Sequence, residues 1–95
     1  MLLKRELLEE IKAGKVDIIF RRWNRPTVKA GGTLKTKVGL LAIKSVTDTS
    51  PHDVSDEDAQ RAGFKDVVHF HRWLQTMKEG ALFQRIEVGY LGDAD

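Results

Sequence analysis

A chain of 95 residues, 41% hydrophobic and 32% charged with 8 Gly and 2 Pro, suits one globular domain over residues 1–95 and excludes a fibrous or largely disordered protein. The absence of Cys removes disulfides and thiolate chemistry, no apolar stretch nears the roughly 20 residues of a membrane span, and the first residues lack a signal-peptide core, so a cytoplasmic protein away from membranes is expected. The net charge of +2 conceals an asymmetry: residues 1–50 carry eleven Lys and Arg against five Asp and Glu, residues 51–95 five against nine, and the basic half is the half suited to a polyanion.

In chain order, Leu3, Leu7 and Ile11, with Leu2 and Leu8 beside them, recur at helical spacing, with Glu6 and Glu10 on the opposite side. The predicted amphipathic helix stops at Gly14, which tolerates the left-handed backbone of a helix end. From Val16 the side chains alternate. Val16, Ile18 and Phe20 share one face of a strand, and Asp17, Ile19, Arg21 and Trp23 the other. Pro26 cannot donate to a ladder, so residues 24–32 read as a loop closed by Gly31-Gly32.

Residues 33–38 alternate again, Leu34, Thr36 and Val38 against Lys35 and Lys37, and the apolar run over residues 40–46 reads as a central strand buried on both sides. Residues 48–53 form a connection. Ser55 before Asp56-Glu57-Asp58 is a capping signal for a short helix reaching Ala62 and ended by Gly63. Val67, Phe70, Leu74 and Met77 set the inward stripe of a longer helix over residues 66–78, with Gly80 as its stop. Residues 82–91 alternate as a closing strand, with Leu82, Ile86, Val88 and Tyr90 mostly opposite Arg85 and Glu87, before a polar tail over residues 92–95. This order predicts an α+β domain with a curled, mostly antiparallel sheet and flanking helices.

Chemistry concentrates at Arg21-Arg22-Trp23-Asn24-Arg25, three guanidinium groups and an indole at a strand end. Guanidinium forks match phosphate oxygens, and an exposed indole face stacks on a splayed base. Alternation puts Arg21, Trp23 and Arg25 on one face and Arg22 on the other, and Lys29, Lys35 and Lys37 extend the positive surface. The competing structural reading buries Trp23 and pairs the arginines with the acidic helices. His69 and His71 stand two apart on a helix, where paired metal ligands need three or four, so no metal or other cofactor is expected. His69 and Trp73, at i and i+4, are helix neighbours able to line a pocket. No nucleophile elbow, phosphate-binding glycine loop or zinc-protease motif is present.

The helix ending at Gly14, the strand leading to Arg21, the Gly31-Gly32-Thr33-Leu34 entry to the next strand, and Val54-Ser55-Asp56-Glu57-Asp58-Ala59 running to Ala62-Gly63-Phe64 together resemble the ASCH domain family. That family is a branch of the PUA-like β-barrel superfamily linked to RNA. Its GxKxxExR-like motif, laid from Gly14, keeps the glycine and Arg21 but puts Val16 at the lysine and Ile19 at the acidic or hydroxyl position. In the branch that resembles an amidohydrolase for acetylated cytidine, the lysine and a threonine are implicated in catalysis. Lys15 is one residue off and aims to the opposite face. The resemblance thus implies a PUA-like barrel that binds RNA without the family's catalytic lysine. Two alternatives stay open: an enzyme acting on RNA or a modified nucleoside, and a protein-interaction module using the acidic second half and Trp73.

Overall fold

The protein, described here by a computed structural model over residues 3–26 and 28–93, is an α+β domain. Leu2 of the helical stripe and the last two residues of the tail lie outside these residues. Helix α1 (Arg5–Lys12) buries Leu8 and Ile11, with Leu3 and Leu7 packed at the margin. Gly14 then takes φ +80°, and the N–H groups of Lys15 and Val16 both donate to the Glu10 carbonyl, which turns the chain back towards the sheet.

Four strands follow: β1 (Ile18–Trp23), β2 (Thr33–Thr36), β3 (Gly39–Asp48) and β4 (Leu82–Gly92). They pair in the order β1-β4-β3-β2, each neighbour antiparallel, and the sheet curls into half a barrel. The last strand in sequence inserts between the first and third, so the two edges are β1 and β2. A 3-10 turn (Pro51–Asp53) and two helices, α2 (Asp56–Arg61) and α3 (Val67–Gln75), join β3 to β4. Ser55 Oγ accepts from the Asp58 N–H at 3.1 Å and Asp66 Oδ1 from the His69 N–H at 2.9 Å, so each helix starts on a side-chain cap.

The core lies on both sides of the sheet. On the concave side Leu8 and Ile11 of α1 meet Ile19, Leu41, Ile43, Ile86 and Val88. On the convex side α2 and α3 bring Ala59, Phe70 and Leu74 onto Ile18, Phe20 and Phe83. Phe70 is wholly buried there, with its ring 5.0 Å from Phe20 and 5.9 Å from Phe83. The edge strand β1 is therefore covered on both faces.

An ion network holds α2 down. Arg85 Nε reaches Asp58 Oδ2 at 3.0 Å and its Nη1 reaches Glu87 at 2.6 Å, while Arg61 Nε donates to Asp17 at 3.0 Å. The acidic start of α2 thus serves the sheet as well as the helix end. Arg61 and Arg85 supply the cations of this network.

Four local expectations change. Val16 belongs with Ile19 in the concave core, because the chain is still turning there and alternation starts only at Ile18. The run over residues 40–46 is not buried on both sides: Leu41 and Ile43 are buried on the concave side, Leu40 and Ala42 are half-buried, and Lys44 is exposed. Helix α3 ends at Gln75, so Met77 follows it instead of closing its stripe. Gly80 does not stop that helix. It lies against the Trp23 backbone, where an added Cβ would sit 2.9 Å from three main-chain atoms.

A bulge in β3 matters most for the site. Ile43 pairs with Val88 and Ser45 with Glu87, which leaves Lys44 as the extra residue. Beyond it the alternation is reversed. Val46 pairs with Ile86 and Asp48 with Gln84, so both side chains join the concave face, where an unbroken strand would have put Ser45 and Thr47.

Candidate functional site

Arg21 and Trp23 leave the end of β1 on the concave face, and both are half-buried. Trp23 packs against the concave core, and its indole Nε1 donates to Gln84 Oε1 at 2.7 Å. Gln84, 7% exposed, donates in turn from Nε2 to Asp48 Oδ1 at 2.7 Å. An indole only donates and a carboxylate only accepts, so this amide has a single workable orientation. The ring is thus fixed by a hydrogen-bonded chain. Two ties hold the same strand end against the start of β4: Asn24 Oδ1 accepts from the Ala81 N–H at 2.9 Å, and Gly80 packs on Trp23.

Burial lowers the proton affinity of Arg21 below that of an ordinary arginine through loss of hydration. A guanidinium with a starting value so high stays cationic at neutral pH, so the consequence is a charge held in a poorly hydrated place.

The chain leaves β1 carrying Arg25, exposed, and crosses to β2 at the far edge of the sheet. Val28 packs into the concave core on the way, so the crossing runs over the concave side and bears the exposed Lys29 with it. It is anchored where the Gly31 N–H donates to the Ile43 carbonyl at 2.7 Å. Arg25 lies beyond the strand, so alternation does not place it with Arg21 and Trp23.

The remaining expected residues lie elsewhere. Arg22 faces the convex side, in an open hollow of about 410 Å³ with Ser50, Glu79 and Phe83. Lys35 and Lys37 border a separate hollow of about 330 Å³ at the β2–β3 turn, with Arg5, Lys12, Glu9 and Asp93. Of the seven, Arg21 and Trp23 share the concave face, Arg25 and Lys29 are exposed on the segment that follows β1, and Arg22, Lys35 and Lys37 lie elsewhere.

A cleft of about 530 Å³ runs along the outer edge of β1 between α1 and α3. Leu3, Leu7, Phe64, Trp73 and Met77 make its apolar walls, and Arg21, Lys4, Glu6 and Glu10 supply its charge. Trp73 stacks at a tilt on Phe64, 5.2 Å between centroids, as part of the wall. His69 turns away to accept the Lys65 N–H on Nδ1 at 3.0 Å, and His71 lies 6.4 Å from His52, ring to ring. Among the described residues, no three His, Cys, Asp or Glu side chains converge on a point that could hold a metal.

Gln84 and Asp48 are the site residues that sequence reasoning missed. Gln84 stood at a concave position of an alternating strand, a signal that was available. Asp48 gave none, because only the Lys44 bulge brings it to this face.

Comparison with family models, with curated proteins and with solved structures returns no match for this chain. Among the described residues, no helix is long and apolar enough to cross a membrane.

Proposed function

We propose that this protein is a small nucleic-acid-binding module that takes single-stranded RNA across its concave mouth. The observation that carries the reading is the joint placement of Arg21 and Trp23 on one face, with the indole held by Gln84 and Val28 of the following segment packed against the same core. A guanidinium has five donors, so Arg21 can engage a phosphate whatever else it touches. Trp23, with its N–H committed, offers a fixed ring to a base at low entropic cost. The resemblance to the ASCH family and its PUA-like barrel supports the same reading. The lost lysine position, Val16, is buried in the core and suits binding better than catalysis.

The test is an anisotropy titration with single-stranded RNA. Three cation–phosphate contacts, from Arg21, Arg25 and Lys29, give a slope of log affinity on log salt of about −2. An Arg21→Ala/Arg25→Ala double variant is expected to lose at least roughly tenfold at low salt. Binding no tighter than millimolar, or unchanged in that variant, removes the proposal.

A second reading has its own observation. The 530 Å³ cleft brings Glu6, Glu10 and Arg21 around apolar walls, a setting for a small ligand with a ring, such as a modified nucleoside. Incubation with RNA and with acetylated cytidine, followed by chromatography, decides it: no product at any pH from about 5 to 9 ends the enzyme reading.

A further inference from the structure

One group on the concave mouth has the wrong sign for a polyanion. Arg21, Gln84 and Asp48 are partners across β1, β4 and β3, forming a polar row next to the apolar row of Ile19, Ile86 and Val46. Asp48 is exposed, so its carboxylate is not a group that burial forced the protein to neutralise. Its charge repels every phosphate that Arg21, Arg25 and Lys29 attract. Beyond fixing the Gln84 amide, it gains in a site for RNA from a hydrogen-bond donor on the ligand.

The Gln84 amide holds two unlike recognition elements at its two ends. The Trp23 indole sits at Oε1 and the Asp48 carboxylate at Nε2, each at 2.7 Å. The ring and the acceptor are therefore separated by one amide and two hydrogen bonds, the scale of a single base. Asp48 uses one lone pair of Oδ1 for Gln84, and a carboxylate offers about four, so the outer oxygen can still accept. Among the bases, guanine alone presents two adjacent donors, N1–H and the 2-amino group, on its Watson–Crick edge. Adenine and cytosine present one amino group there, and uracil one N3–H. A carboxylate with two oxygens matches the guanine pair as it matches an arginine fork.

Resting on the single-strand reading of this face, we infer that Asp48 makes the site selective for guanine: a base stacked on Trp23 donates N1–H and N2–H to the Asp48 carboxylate. Gln84 is the positioning residue, since it fixes both elements at once.

The experiment uses the full chain and labelled uridine hexamers carrying one central guanine, inosine, adenine or uracil. Guanine is expected to bind roughly tenfold tighter than adenine or uracil, and inosine, which lacks the 2-amino donor, falls between them. Asp48→Asn is expected to abolish the preference while leaving the salt slope unchanged. Its amide oxygen still accepts from Gln84, so the fold and the Trp23 emission are retained. Equal binding of the four hexamers by the wild type overturns the inference without recourse to any variant, as does a preference that survives in Asp48→Asn. If the four bind equally, the nucleic-acid reading stands and only the role of Asp48 falls. If none binds at low salt, both fall together.

Discussion

At the scale of single residues, the site depends on which face a side chain takes. Arg21 and Arg22 are adjacent and chemically identical, yet Arg21 shares the concave face with Ile19 and Trp23 and lines the cleft at the β1 edge, while Arg22 lies in the convex hollow with Ser50 and Glu79. Arg22→Ala is accordingly expected to leave RNA affinity within about twofold, while Arg21→Ala lowers it by roughly tenfold, both read by anisotropy at low salt. Gln84 is the other decisive residue. Replacing it with Leu leaves the Trp23 indole N–H without its acceptor and costs about 1–3 kcal/mol in urea unfolding. A shift of tryptophan emission should accompany the loss, since Trp23 is then free to turn. Gln84 was open to sequence reading, because residues 82–90 alternate cleanly and an amide on the apolar side of such a strand needs a partner.

At the scale of elements, three devices position the site. Phe70 docks α3 on the convex side through rings of Phe20, Phe64 and Phe83, and Phe70→Ala is expected to cost about 3–5 kcal/mol by thermal or urea unfolding. The ion network docks α2. The Asp17 and Asp58 carboxylates raise the proton affinities of Arg61 and Arg85 above the ordinary arginine range, in each case chiefly through side-chain hydrogen bonds. A cation whose folded value is raised contributes stability below its unfolded value and loses it only as pH climbs through the folded one. That loss falls above the ordinary arginine range, so the stability difference between wild type and Asp58→Asn, about 1–2 kcal/mol, should stay constant from about pH 7 to pH 10. The third device is the Lys44 bulge. Deleting Lys44 removes the bulge but keeps Ser45 opposite Glu87 and Val46 and Asp48 on the concave face, so a chain without Lys44 is expected to retain any base preference, read by anisotropy with the same hexamers.

For the whole molecule, the concave mouth exists because a late strand enters the middle of the sheet. β4 inserts between β1 and β3, which leaves β1 at an edge and forces the next segment to cross the concave side to reach β2. Arg25 and Lys29 are exposed on that segment, and Lys35 and Lys37 lie with Arg5 and Lys12 at another corner. The salt slope of about −2 tests this division directly, because all six expected cations acting together would give about −4.

Much of this was legible in the one-dimensional pattern. Local periodicity revealed α1, α2, α3 and all four strands, the cap at Ser55, the α+β class and the shared face of Arg21 and Trp23, since each follows from spacing within a few residues. The tertiary structure alone decided the strand order, the reversal at Lys44 that delivers Asp48, and the Gln84 tie on the indole. The reason is physical: a bulge is defined only by the partner strand it faces, and a hydrogen bond between residues 23 and 84 depends on a pairing that no local pattern encodes.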